Sequence, residues 1–276
     1  MNLSSIDTSS FLIEPDVLRA REDDFLLIDT RASKQYSEGH IPGAINLCSY
    51  DRFVRSTSSI GLSRFTRELL TYYTEANIST SRPVVVYEEA TGMHAARECW
   101  MLQYLGHPKV QMLHGGLHAW QSIEGETTTD IQAPASDTFS AQPQSDMVIG
   151  IDGILAQSGE DHVIILDVRS YEEFTGTGGS SCCRRQGRIP DAVRIEWAAF
   201  LDEASGRFKS PEAIRKLLQE ADIAPDNEII TYCHRGARSA TVYYALKHAG
   251  CTRVKNYIGS WHEWAARNDI PVETGE

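Results

Sequence analysis

The stretch Glu228-Ile-Ile-Thr-Tyr-Cys233-His-Arg-Gly-Ala-Arg-Ser239 reads as a short apolar strand that delivers a cysteine into a tight turn. A helix-type pattern, Ser239 to Ala249, follows at once. Gly236 permits a turn that a side chain would strain. Backbone N–H groups in such a turn, with a helix start behind them, form a concave cradle for negative charge. A free thiol ionises near pH 8.5, and a thiol in that cradle beside Arg235 and Arg238 is expected to ionise lower. Most unpaired cysteines are small buried hydrophobes. The position of Cys233 between strand and arginine-bearing turn favours a nucleophile instead.

Working outward, the chain repeats itself. Leu26-Leu-Ile-Asp-Thr-Arg31 followed by Gly39-His-Ile-Pro-Gly-Ala44 is matched by Ile164-Ile-Leu-Asp-Val-Arg169 followed by Gly187-Arg-Ile-Pro-Asp-Ala192. Helix-type runs come next, Ser63 to Ala76 and Ser210 to Ala221, the second opening on Ser-Pro, a good start signal. Strand-type runs Pro83–Tyr87 and Glu228–Tyr232 then lead into a turn and a helix, and Val110–Trp120 is matched by Val254–Trp264. A spacing of about 144 residues is far too long for a solenoid and fits a duplicated domain. Short apolar strands alternating with helices predict an α/β fold, each domain a mainly parallel sheet flanked by helices. Residues 131–146 lie in a stretch rich in Thr, Ser, Pro, Ala and Gln and read as a linker between domains at 1–130 and 147–276.

The 276 residues suit two domains, and 41% hydrophobic with 23% charged residues is ordinary for a globular chain. A net charge of -12 argues against a general nucleic-acid binder. The first fifteen residues have neither a basic flank nor a long apolar run, so no secretory leader is expected, and no stretch is long and apolar enough for a membrane span. Six scattered cysteines, Cys48, Cys99, Cys182, Cys183, Cys233 and Cys251, lack zinc-site spacing and are expected as reduced thiols in the cytoplasm. His40, His114, His118 and His262 form no metal-ligand spacing either. No metal or other cofactor is expected.

Taken together and in order, these motifs resemble the rhodanese family, and their duplication is similar to the tandem-domain sulfurtransferases that act on thiosulfate or 3-mercaptopyruvate. The resemblance implies a catalytic second domain with Cys233 as nucleophile and His234, Arg235, Gly236, Ala237, Arg238 and Ser239 as the substrate-binding turn. It implies a silent first domain, where aligning Tyr87 with Tyr232 puts Glu88 opposite Cys233. A carboxylate cannot hold sulfur as a stable persulfide. Small-molecule donor and acceptor are the implied partners, with a thioredoxin-like or other thiol protein as a further acceptor. Basic residues after the cysteine resemble thiosulfate users more than mercaptopyruvate users. Where relatives often carry a substrate-binding arginine after Asp-x-Arg, this chain has Glu172 and Glu173, and Arg184 or Arg185 of the Gly/Ser-rich loop is expected to face Cys233 instead.

Other residues read more plainly. Asp29, Arg31, Asp167 and Arg169 end buried strands, where each carboxylate can satisfy backbone N–H groups and its neighbouring guanidinium; Asp167 also borders the cleft. Cys99, Trp120, Trp261 and Trp264 read as core. Adjacent Cys182 and Cys183 cannot readily pair with each other, and an exposed loop there would be open to oxidation. Two other functions compete. Cysteine phosphatases and arsenate reductases use a related loop with five residues between Cys and Arg, whereas Arg238 follows Cys233 after four. A persulfide or selenium carrier serving one partner protein would need the same cysteine.

Overall fold

The computed structural model describes residues 10–131, 139–179, 181 and 183–275. Residues 1–9 of the stretch read for a leader, the middle of the expected linker and Cys182 lie outside them. The chain gathers into two compact units. One holds the residues up to Ser49, Leu69–Pro143 and Glu203–Arg207; the other holds Tyr50–Glu68, Gln144–Asp202 and Phe208 onward. Sequence halves and units therefore differ by two exchanged segments, 50–68 and 203–207.

In the first unit the strands are β1 (Leu12–Ile13), β2 (Leu26–Asp29), β3 (Ile45–Asn46), β4 (Val84–Tyr87) and β5 (Val110–Leu113). They form one sheet in the order β1-β5-β4-β2-β3, and every pairing is parallel. Its helices in chain order are α1 (Pro15–Arg19), α2 (Ser33–Glu38), the end of α3 (Ser59–Glu75) from Leu69 on, α4 (Met93–Tyr104) and α5 (Gly116–Ser122); α3 up to Glu68 belongs to the second unit. β2 and β4 are buried along their whole length, because a parallel sheet carries cover on both faces and leaves no polar side. Leu27, Val85, Leu113 and Trp120 pack in its core.

The second unit follows the same plan with α6 (Ile151–Gln157), β6 (Val163–Asp167), α7 (Tyr171–Thr175) and β7 (Val193–Arg194). Two short strands, β8 (Leu201–Asp202) and β9 (Arg207–Phe208), intervene before α8 (Pro211–Gln219), β10 (Glu228–Tyr232), α9 (Ala237–His248), β11 (Val254–Asn256) and α10 (Ser260–Trp264). The sheet order is β11-β10-β6-β7, again all parallel. Ser210 caps α8 by accepting the Ala213 N–H at 3.2 Å, with Pro211 in the first turn, as the Ser-Pro signal predicts. Trp261 and Trp264 pack with Ile165, Ile230 and Tyr232 in the core.

The registers of the two sheets coincide. Asp29 pairs with Tyr87 across β2 and β4, and Asp167 pairs with Tyr232 across β6 and β10. Each central strand thus hands its chain to a loop at the carboxyl end of a parallel sheet, where open α/β folds place their binding sites.

Candidate active site

Cys233 is the first residue past β10, and its place is fixed by the backbone. Its carbonyl accepts the Trp261 N–H at 2.9 Å, and its own N–H donates to the Ser260 hydroxyl at 3.2 Å. Gly236 sits in the left-handed region at φ 85° and turns the chain into α9. That turn aims the Gly236 N–H at the Cys233 sulfur, 3.1 Å away. Ser260 holds a left-handed φ of 54°, where the first unit has Gly116 at φ 60°. A non-glycine residue there is strained; its hydroxyl is the group that binds the Cys233 amide.

The thiol is almost fully buried, 1% exposed. Burial pushes its pKa up, but the Arg238 charge and hydrogen bonds from Ser239 and the Arg235 amide outweigh that, so the net shift is downward. Arg238 lies in the first turn of α9, and Glu173 of α7 grips it through both oxygens, at 2.6 and 2.9 Å. Burial would raise the Glu173 pKa; the Arg238 hydrogen bonds and the charges of Arg238 and Arg169 bring it down instead. Glu173 also accepts the Ser170 N–H while Ser170 accepts the Glu173 N–H, a reciprocal cap on α7.

Beneath the cradle, Asp167 accepts the Arg169 backbone N–H at 3.0 Å and its guanidinium at 2.6 Å, together with the Tyr232 hydroxyl at 2.5 Å. Arg169 donates onward to the Gly187 carbonyl and lies 4.7 Å over the Trp261 ring. Asp29 and Arg31 repeat this in the first unit, with the Gly39 carbonyl in the place of Gly187.

Three expectations about charge need correction. Burial, then the Arg235 charge, lowers the His234 pKa to about 4, so at neutral pH this residue is a neutral imidazole and not a cation. Arg185 does not turn to the thiol: its guanidinium donates to the Arg267 and Ile270 carbonyls, at 2.8 Å for the latter. Arg184 is exposed to solvent, and no hydrogen bond or ion pair described for it reaches Cys233. The positive charge at the thiol comes from Arg238. Arg235 stacks at 4.3 Å over Phe53, whose edge meets His262 at 5.0 Å. Cys183, read from sequence as exposed, is buried, with its sulfur 3.5 Å from His234 Nε2.

Sequence reasoning did not find Glu173 as the partner of Arg238, although Ser170-x-x-Glu173 is a legible capping box. It also missed Phe53 and Ser260. Nothing local in the sequence marks Phe53, because its neighbours are distant in the chain. Ser260 is visible only as the departure from Gly116 in the repeat.

The equivalent loop of the first unit has a carboxylate where the second has a thiol. The Glu88 carbonyl accepts the Leu117 N–H as that of Cys233 accepts Trp261, and Glu89 accepts His118 as His234 accepts His262. Glu88 Oε1 takes the N–H groups of His94 and Ala95, each at 2.8 Å, at the start of α4. Burial raises its pKa to about 7 despite those bonds. Four residues, Glu89 to Gly92, separate Glu88 from α4, whereas three, His234 to Gly236, separate Cys233 from α9. Among the described residues, no three His, Cys, Asp or Glu side chains gather as metal ligands, and no helix is long and apolar enough to cross a membrane.

Two parallel α/β units, one with a thiol and the other with a carboxylate on the central-strand loop, define a duplicated protein with one thiol site. The rhodanese-like domain family matches residues 14–123 and 152–267, and the chain belongs to that family. It is 32% identical over 265 residues to a thiosulfate sulfurtransferase of Azotobacter vinelandii, covering 95% of this chain and 96% of the relative. It is 30% identical over 268 residues to a thiosulfate sulfurtransferase of Pseudomonas aeruginosa, with the same coverage. The fold also superposes on EanB in complex with ergothioneine, with a TM-score of 0.84 at 21% identity over 96% of this chain and 70% of that one.

Proposed function

We propose that the protein is a sulfurtransferase that takes a sulfane sulfur from thiosulfate onto Cys233 and passes it to a thiophilic acceptor such as cyanide, a small thiol or a thiol protein. The observation that carries this reading is the Cys233 sulfur held by the Gly236 amide with its pKa drawn down by Arg238. The thiolate attacks the outer sulfur of thiosulfate. A Cys233 S–S bond forms, the donor's S–S bond breaks, and its electron pair leaves with sulfite. The same amides that hold the thiolate then face the persulfide, whose outer sulfur an acceptor removes, returning Cys233 to the thiolate. Splitting one transfer into two displacements lets donor and acceptor react in turn without meeting.

Glu88 supports a single working site, since a carboxylate bound to helix amides has no sulfur to carry. Thiosulfate is favoured as donor because the cradle offers cationic and amide donors to a departing dianion; the names of the two relatives agree. A reducing, cytoplasmic setting belongs to the same reading, in which Cys99, Cys233 and Cys251 stay reduced.

Intact-mass spectrometry after exposure to thiosulfate tests the proposal. The parent should gain one sulfur atom, discharge it on adding cyanide, and lose both properties in Cys233→Ser. A sulfur gain that persists in Cys233→Ser would overturn the assignment. Parallel loading with 3-mercaptopyruvate ranks the donors.

A further inference from the structure

Residues 50–68 come from the first half of the sequence but cluster with the second unit. Glu263 fastens them there: its Oε1 accepts the Thr57 N–H at 2.5 Å and its Oε2 the Thr57 hydroxyl at 2.8 Å. Glu263 directly follows His262, whose N–H is bonded to the His234 carbonyl at 3.0 Å. The segment is therefore tied to the thiol loop itself, and Phe53 meets both Arg235 and His262.

Phe53 also lines a cavity of about 430 Å³, together with Asp51, Arg52, Arg55, Arg64 and Glu68. That volume falls in the range of small-molecule sites, roughly 300–1,000 Å³, and is generous for an inorganic anion. Three arginines against two carboxylates leave an excess of one positive charge in a chain whose net charge is -12. The cavity's charge reaches α10, which is bonded to the thiol loop: after burial and Arg235, Arg55 is the next group that lowers the His262 pKa. A wall that mixes guanidinium and carboxylate groups suits a ligand carrying both charges better than a polyanion, which Asp51 and Glu68 would repel.

We propose that this cavity is the subsite for the body of the sulfur acceptor, a low-molecular-weight thiol of the amino-acid or peptide class bearing both carboxylate and ammonium groups. The assignment rests on the transfer reading of Cys233. The acceptor's thiolate attacks the outer sulfur of protonated Cys233 persulfide; a new S–S bond forms on the acceptor, the bond to the Cys233 sulfur breaks, and Cys233 leaves as a thiolate into its amide cradle. The product is the acceptor's hydropersulfide, and no oxidant or reductant is consumed. A carboxylated donor such as 3-mercaptopyruvate shares the anionic group but has no ammonium for Asp51 and Glu68.

The test compares glutathione with uncharged 2-mercaptoethanol as acceptors for thiosulfate-loaded protein, in the parent, Arg55→Gln/Arg64→Gln and Arg55→Lys/Arg64→Lys. The kcat/KM preference for glutathione should fall about tenfold in the glutamine pair, as expected for loss of charge-assisted contacts, and largely return in the lysine pair. Added salt should erode the parent's preference in the same direction. A parent without preference, or a glutamine pair that keeps it, would overturn the proposal. If 3-mercaptopyruvate loading of Cys233 slows in the glutamine pair as much as glutathione discharge does, the cavity serves the donor and the acceptor assignment falls. Calorimetry with S-methylglutathione on unloaded protein needs no transfer: binding in the parent and its loss in the glutamine pair are expected, and no binding in the parent would sink the subsite. Thioether binding with no sulfur ever found on Cys233 would count against the transfer reading alone.

Discussion

Glu173 holds Arg238 through both carboxylate oxygens, at 2.6 and 2.9 Å, so the cation that lowers the Cys233 pKa is itself matched by an anion. The pair is partly buried, with side chains 16% and 20% exposed. The carboxylate fixes the guanidinium and also cancels part of the field that a dianionic donor would feel. Glu173→Gln keeps the shape and one acceptor while removing a negative charge. The KM for thiosulfate should fall by about threefold to tenfold, the range of one partly screened charge contact. Steady-state kinetics with cyanide in excess measures it, and a rise in KM would mean that positioning of Arg238 outweighs charge.

Removing both members of the pair isolates the effect of Arg238 on the thiol. Arg238→Gln alone would strand a buried carboxylate, so the double variant Glu173→Gln/Arg238→Gln is the better probe. In the parent the folded thiol has a lowered pKa, so the thiolate is present above that value and is lost as pH falls through it. Without Arg238, burial should dominate and move the ionisation upward. Ultraviolet thiolate absorbance against pH should show the midpoint shifted up by about one unit or more, with alkylation by iodoacetamide at neutral pH slowed about tenfold.

The duplication, the parallel α/β units and the thiol turn were legible because each is local: an apolar run, a glycine, a cysteine and a cap in fixed order. Tyr87 and Tyr232 could be aligned by eye, and their pairing with Asp29 and Asp167 shows that alignment in three dimensions. Charge was read less well. His234 counts as basic in a sequence, but burial beside Arg235 keeps it neutral. Arg185 sits in a loop that looks free to face the thiol, yet backbone carbonyls of Arg267 and Ile270 claim it. Phe53 and Thr57 could not have been assigned to the second unit from the sequence, since 206 positions separate Thr57 from Glu263.

Glu88 gives the first unit a pH signature. Its carboxyl keeps a proton up to about pH 7 when folded, against an ordinary value of 4.5. Between those values the folded state binds more protons than the unfolded chain, so Glu88 lowers stability as pH rises through that window. Denaturant unfolding of the parent should lose on the order of 1–3 kcal/mol across it from this group. Glu88→Gln, which preserves an acceptor for the His94 and Ala95 amides, should flatten that slope. An unchanged slope would show that the carboxylate is ionised well below neutrality.

Thr57 and Glu263 supply a separate test of how the second unit holds residues 50–68. Glu263 is buried, 6% exposed, and burial raises its pKa even though Thr57 offers both its N–H and its hydroxyl. The Thr57 oxygen also accepts the Ile151 N–H at 3.1 Å, so one side chain joins the segment to α6 and to α10. Thr57→Val keeps the volume but deletes donor and acceptor together, leaving one carboxylate oxygen and one helix N–H short of a partner. The expected cost is about 1–3 kcal/mol in urea unfolding, with Thr57→Ser close to the parent. Because Phe53 lies four residues away and stacks on Arg235, the valine variant should also weaken glutathione discharge of the loaded protein more than discharge by 2-mercaptoethanol. Equal losses for both acceptors would indicate general loosening of the thiol loop rather than displacement of the 50–57 segment.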